Sequence, residues 1–283
     1  MKTYPVERIR NIGIFGHGGA GKTSMTEAML FASKAINRLG RIEDGNTVSD
    51  WDPDEIKRTI SIGTSVAPIE WNDHKLNILD APGYADFMGE VKSAIRVADT
   101  ALILLDASAG VEVGTEYAWR FAAERNLPTI LVINKMDREN ADFATALQSA
   151  QSRFGSNVVP LTVPIGSESS LRGVVDLLHM QAIFFGDGTS GETTTGDVPA
   201  DMLDVVETYR LELVEKIAEN DEDLMLRYLE DEELSADELA AALRTSVARG
   251  EIVPVLASAA TTNRGVCVLL DALVKYAAAP SQQ

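Results

Sequence analysis

Cysteine, histidine and basic side chains are what this 283-residue chain has least of: one Cys, three His, and 25 Lys and Arg against 43 Asp and Glu. The lone cysteine, Cys267, excludes an intrachain disulfide and fits a reducing compartment. Its apolar, helix-patterned neighbours make it a packing residue. His17, His74 and His179 are too scattered to hold zinc or another transition metal. No apolar run approaches the roughly 20 residues that cross a bilayer, and residues 1–5 lack the basic-then-apolar build of a secretory signal. The expectation is a cytoplasmic chain with no membrane contact. The shortage of basic residues is also uneven. Residues 155–250 hold 20 acidic and 6 basic side chains, so −14 of the net −18 falls there. Gripping a nucleic-acid backbone needs Lys and Arg, which argues against that role for the segment. Its acidity leaves two readings: a solvated helical surface that favours solubility, or a docking face for a basic or helical protein.

What the chain does have is glycine in one informative place. Residues 16–23 read GHGGAGKT, a complete G-x-x-x-x-G-K-T loop, after an apolar run at 11–15 and before a helix-like stretch at 24–35. Strand, glycine loop and helix in that order form the context in which this pattern binds phosphates. The backbone of Gly16, His17, Gly18, Gly19, Ala20 and Gly21 is expected to curl around phosphate oxygens. The helix beginning near Gly21 aims its positive end at them. Lys22 reaches the outer phosphates, the Thr23 hydroxyl ligates magnesium, and Ser24 is a further binding position at the helix start. A turn that only tightens a strand-to-helix connection is the plainer alternative. The Lys22-Thr23 pair and the flanking elements favour a bound nucleoside triphosphate.

The base and the metal are named further along. NKMD at 134–137 follows a buried-strand pattern at 129–134. A carboxylate at Asp137 accepts hydrogen bonds from guanine N1–H and its exocyclic amine; adenine lacks that pair and leaves the carboxylate unmet. Asn134 is expected to tie this loop to the phosphate loop, and the Lys135 stem to cover one face of the base. DAPG at 80–83 ends another strand pattern. Asp80 is expected to hold the magnesium shell through water, and the Gly83 amide to sense the γ-phosphate where the backbone must approach and reorient. By itself this is also good turn chemistry; its position between the other motifs decides. After a strand at 252–257, amides of Ser258 and Ala259 are expected near the guanine carbonyl oxygen. The ligands implied are GTP or GDP with Mg2+.

Strand patterns at 11–15, 65–71, 75–79, 100–106, 129–134 and 252–257 alternate with helical ones at 22–35, 86–97, 114–125, 141–154 and 265–276. The alternation, with apolar runs such as 101–105, predicts an α/β fold. It is a doubly wound, mostly parallel sheet of the P-loop GTPase type, with ligand loops at its carboxyl edge. Residues 1–154 together with 251–283 are expected to form the nucleotide-binding domain, and 155–250 an inserted acidic α+β subdomain. Within the insertion, 158–185 reads as a hairpin region, 186–196 as a Gly/Thr-rich loop, and 200–229 and 235–249 as helical. Asp201 or Ser235 is placed to cap these helices, with Glu238 completing a capping box after Ser235.

Together these residues resemble the nucleotide-binding domain of elongation factor G and its paralogues. The likeness rests on GHGGAGKT, KRTISI at 57–62, DAPGYADF at 80–87, NKMDR at 134–138 and PVLASA at 254–259. It continues in the insertion through PLTVPIG at 160–166, GVVDL at 173–177 and the pair Asp201 and Met202. The whole chain is covered, up to about 276–280, where that family passes into its second domain. The resemblance implies a monomeric GTP/GDP switch acting on the ribosome, with segments about 44–65 and 80–92 as its switches. It is closer to the variant, second-type paralogue than to the main translocase. Downstream domains, absent here, would make most ribosome and RNA contacts. The insertion would meet the flexible stalk protein of the large subunit, with residues around 213–224 as the ridge. A ribosome-protection, release or recycling GTPase shares the domain, and a non-hydrolysing guanine-nucleotide-binding module shares the pocket.

Departures from the family's pattern concern chemistry. Tyr84 stands where a histidine helps position the attacking water; tyrosine can hydrogen-bond but offers no imidazole charge balance near neutrality. Gly18 and Gly19 replace a branched apolar residue and an aspartate that resembles a monovalent-cation ligand. Ser61 replaces threonine and keeps a hydroxyl for magnesium, Thr59 stands where glycine is usual, and Ile60 keeps one wing of a gate over the water. The resemblance thus implies a weak GTPase, with Lys22, Ser61, Gly83 and Tyr84 as catalytic positions and Thr23, Ser61 and Asp80 at the metal.

Overall fold

Apolar runs too continuous for a sheet wetted on one face form the centre of the molecule. In the computed structural model, which describes residues 2–230 and 232–282, β4 (Thr100–Asp106) and β5 (Thr129–Asn134) are buried almost end to end. Strands covered by helices on both faces require this. They lie in a seven-stranded sheet. From one edge its order is β2 (Ser65–Trp71), β3 (His74–Asp80), β1 (Ile9–Gly16), β4, β5, β11 (Val253–Ala257) and β6 (Val158–Pro160). All neighbours run parallel except β2, which returns antiparallel on β3. The β2–β3 turn is Asn72 and Asp73, both left-handed (φ 44° and 57°), as a two-residue hairpin turn demands. The α/β sheet expected from the sequence is present.

Helix ends shifted where local backbone overrode apolar spacing. Helix α1 (Lys22–Ala32) begins after Gly21, whose left-handed φ of 92° opens the first turn. It stops before the expected residue 35 because Lys34 turns left-handed (φ 62°) while the Ser33 amide donates to Met29 O. A short helix, α2 (Pro53–Arg58), lies in the first switch segment. Helix α3 (Met88–Val97) starts after a 3-10 turn at Ala85–Phe87. Helices α4 (Val113–Ala123) and α5 (Phe143–Phe154) precede the insertion. Among the described residues no helix is long and apolar enough to cross a membrane.

The segment 155–250 is stitched to the larger sheet rather than hung from it. Its first strand, β6, pairs in parallel with β11, and just beyond it the Ala257 amide donates to Thr162 Oγ1 at 3.1 Å. The chain then builds an antiparallel sheet in the order β10 (Thr193–Gly196), β9 (Gln181–Phe185), β8 (Gly173–Asp176), β7 (Thr162–Ile165). The stretch expected as a Gly/Thr-rich loop therefore contains a strand. Three helices follow: α6 (Leu203–Ala218), α7 (Glu222–Leu229) and α8 (Ala236–Ala248). The expected continuous helix over 200–229 breaks at Asp221, whose carboxylate accepts from the Asp223 and Leu224 amides and restarts the helix as α7. Asp201 sits inside a 3-10 turn and caps nothing. Leu213 and Leu224, expected on a partner-facing ridge, are core residues; among the described residues the exposed leucines are Leu203, Leu211, Leu226 and Leu229. Helix α9 (Val266–Tyr276) closes the larger layer beside α1.

The Ser235 and Glu238 capping box forms as expected: Ser235 Oγ accepts from the Glu238 amide and Glu238 accepts from the Ser235 amide. Arg227, then Ser235, holds the Glu238 carboxyl down to about 2 from an ordinary 4.5. A depressed carboxyl contributes stability above its ordinary value and loses it as pH falls through the folded one. Ser235→Ala should lower unfolding stability by about 1 kcal/mol at neutral pH in urea titrations. The difference from wild type should shrink as pH falls from 4.5 toward 2.

Candidate nucleotide site

The carboxyl ends of β1, β3, β5 and β11 converge on one cavity, where ligands of open α/β sheets bind. Its wall includes Gly18, Gly19, Gly21, Lys22, Thr23, Ser24, Ser61, Gly83, Tyr84, Asn134 and Lys135. The phosphate loop packs without room for side chains at two points. A Cβ at Gly18 would lie 2.9 Å from the Tyr84 ring, and one at Gly83 would collide with Lys22 Nζ. Gly83 and the loop therefore touch through the lysine head. Lys22 is buried, its ammonium donating to His17 O at 2.9 Å and Gly16 O at 3.3 Å. Burial lowers its pKa to about 8, against the opposing pull of Asp80, Asp50 and Glu112. A phosphate oxygen would give this ammonium a charged partner in place of carbonyls.

Below the loop lies a cluster of oxygens. Ser61 Oγ donates to Asp50 Oδ1 at 2.7 Å, which leaves Thr23 to donate to Ser61 across 3.0 Å. Ser49 Oγ donates to Asp80 Oδ2 at 2.8 Å. Asp80 is buried, its Oδ1 has no partner, and burial pushes its carboxyl up to about 6. Among the described residues no three His, Cys, Asp or Glu group together as a metal site. Two hydroxyls and a carboxylate with an orphaned oxygen suit a hard cation that keeps much of its water, as magnesium does. The residues fit the ion. Asp50 and Ser49 were not singled out from the sequence, since an acidic residue on a long polar loop carries no local signal.

The far end of the cavity is organised by Asn134. Its Nδ2 donates to Ala20 O at 3.0 Å and its Oδ1 accepts from the Ala260 amide at 3.1 Å. Lys135, left-handed at φ 64°, runs its stem along the cavity and pairs its ammonium with Asp106 at 2.7 Å. Asp137 accepts from Thr262 Oγ1 at 3.1 Å and Thr261 Oγ1 at 3.3 Å through Oδ2, while its buried Oδ1 has no partner. Thr261 and Thr262 were missed in the sequence. Ser258 and Ala259 lie behind the wall: their amides donate to Ile133 O and Arg264 O, and the cavity is lined instead by Ala260 and Thr261. The 3-10 turn at Ala260–Thr262 carries the chain one residue further before it meets the cavity. His17 contributes backbone only. Its ring accepts from the Gly114 amide at 3.2 Å and faces Glu112 at 3.5 Å, beside α4.

The segments expected to act as switches fold onto this site. Buried Glu55 accepts from the Ile62 and Gly63 amides, and Glu90 accepts from the Thr64 amide, which ties the first segment to α3. Thr59 is left-handed at φ 54°, a backbone state costly for a β-branched residue. Asn134→Ala would orphan two buried backbone groups and should lower stability by about 2–3 kcal/mol, with nucleotide affinity falling alongside. Denaturant titration and calorimetry would measure both.

Known proteins share this fold. Residues 7–279 match the family described as the elongation factor Tu GTP binding domain. Elongation factor G of Petrotoga mobilis is 42% identical over 279 residues, which cover 99% of this chain and 40% of that protein. A crystal structure from Thermus thermophilus superposes with a TM-score of 0.91 at 35% identity, over 98% of this chain and 41% of that one. The chain thus spans about two-fifths of the length of the relatives it matches. It belongs to the family of elongation factor Tu GTP-binding domains, as an elongation-factor-G-like member.

Proposed function

We propose that the chain is a magnesium-dependent GTP/GDP switch of a translation factor acting on the ribosome, with slow hydrolysis in the ribosome's absence. One observation carries the reading. A single cavity joins Lys22, Thr23 and Gly83 at one end to Asn134, Lys135 and Thr261 at the other, and Asp137, with an unmet oxygen, stands beside Thr261. That spacing of cation and carboxylate suits a guanine nucleotide read at both ends. Asp137 Oδ2 is already held by threonines, so the carboxylate meets guanine donors without first being ordered.

Hydrolysis in this family is transfer of the γ-phosphoryl group to water, and positioning with charge stabilisation supplies most of its catalysis. Lys22 bears on the charge that develops on the phosphate oxygens, and the Gly83 backbone lies against the same ammonium. A magnesium ion held by Thr23 and Ser61, and by Asp80 through water, would neutralise phosphate charge. Tyr84, 43% exposed over Gly18, can orient a water through its hydroxyl but has no imidazole nitrogen to act as a base. Its place supports slow turnover. For the acidic insertion, the exposed Leu211, Leu226 and Leu229 amid carboxylates support docking of a helical protein partner, which the resemblance identifies with the ribosomal stalk protein, with the chain itself a monomer.

Calorimetry with magnesium should show guanosine nucleotides preferred over adenosine ones. Asp137→Asn should weaken GTP by about 100-fold and favour xanthosine nucleotides; unchanged GTP affinity would remove Asp137 from the site. Phosphate release should be slow in the isolated chain. Rapid release that disappears in Tyr84→Phe would overturn the slow reading and make the tyrosine a competent substitute.

A further inference from the structure

The two loops that face the base are gripped by the insertion as well as by each other. In the turn between β7 and β8, the Glu168 amide donates to Met136 O at 2.7 Å and its carboxylate accepts from the Asn140 amide at 2.8 Å. One residue of the insertion thus holds positions 136 and 140, on either side of Asp137. The second loop is held at the β9–β10 tip. Asn263 Nδ2 donates to Thr189 O at 3.0 Å, and Gly191 packs so closely that a Cβ there would lie 2.8 Å from that nitrogen. Cys267 Sγ donates to Gly191 O at 3.2 Å.

Two further facts show that these contacts are imposed on the backbone. Glu168 and Asn263 are both left-handed, at φ 53° and 54°, a state non-glycine residues keep only where surroundings dictate it. Asn263 is also 2% exposed with Oδ1 unpartnered, so its amide is buried for the sake of one bond to the insertion. Thr262, next in the chain to Asn263, donates to Asp137, next to Met136, and this bond aims the base-reading carboxylate.

We infer that the β7–β8 turn and the β9–β10 tip form a splint for guanine recognition, with Glu168 and Asn263 as positioning residues. The inference rests on the guanine-nucleotide reading above. A carboxylate that must meet two donors at once tolerates little wobble, and a mount ordered in advance removes that cost from binding. The insertion therefore sets base affinity and base selectivity without touching the nucleotide.

The test uses the full chain with magnesium. It measures dissociation of a fluorescent GDP by stopped flow, and affinity for GDP against IDP, which lacks the exocyclic amine, by calorimetry. Glu168→Ala and Gly191→Ala should each speed GDP release about 5- to 10-fold and reduce the GDP-to-IDP preference. Glu168→Gln, which keeps an acceptor for the Asn140 amide, should restore both. Denaturant midpoints of the nucleotide-free proteins separate positioning from general damage. If Glu168→Ala lowers the midpoint while release and preference stay at wild-type values, the role is structural only and the inference is wrong. If the wild-type chain itself shows no guanine preference, the parent reading fails, and this one with it.

Discussion

Asn134 donates to the Ala20 carbonyl and accepts from the Ala260 amide, and these two bonds join loops that leave β1, β5 and β11. Each loop alone is a flexible connection at a sheet edge. Bridged, they become one wall, because a planar amide with both partners buried has little freedom left. The distance between the lysine end and the aspartate end is then set by the parallel strands beneath. The rest of the site depends on this spacing.

Polar chemistry at and behind the cavity wall is left unfinished. Asp80 Oδ1 and Asp137 Oδ1 are buried without partners, and Lys22 settles for two loop carbonyls. Buried polar groups in folded proteins are ordinarily satisfied, so these unmet oxygens, which lie behind residues that line the cavity, support the proposed nucleotide. On that proposal its phosphates meet an ammonium and hydroxyls, and its base brings donors to the Asp137 carboxylate. The oxygens around Asp80 and Asp50 further suit a divalent ion more than bare water, since burial alone pushes the Asp80 carboxyl toward neutrality.

The departures around the γ-phosphate position are linked in space. Tyr84 lies over Gly18 at a distance that no side chain at 18 would allow, so the glycine and the tyrosine form one packing solution. Gly19 differs: a Cβ there would meet nothing within 4 Å, although its φ of 89° resists one. Thr59 is left-handed (φ 54°) at a position where the resemblance has glycine, so a β-branched residue here bears a backbone state costly to it.

Much of this was legible in residues alone. The GHGGAGKT loop, NKMD and DAPG specify backbone conformations and donor sets that few other purposes require, and fully apolar runs at 101–105 and 129–134 identify central parallel strands. The capping box at Ser235 and Glu238 was equally readable, because a cap is a contact between residues three apart. Ser258 and Ala259 were placed two residues short of Ala260 and Thr261, since the 3-10 turn that brings those two to the wall has no local signature. The same holds for Asp50, Thr262, Glu168 and Asn263, whose roles come from partners 11 to 125 positions away. Local chemistry is encoded where the residues that share it are neighbours in the chain. How the insertion meets the NKMD loop and the turn at 260–262 was decided only by folding, because each of those contacts joins segments far apart in the chain.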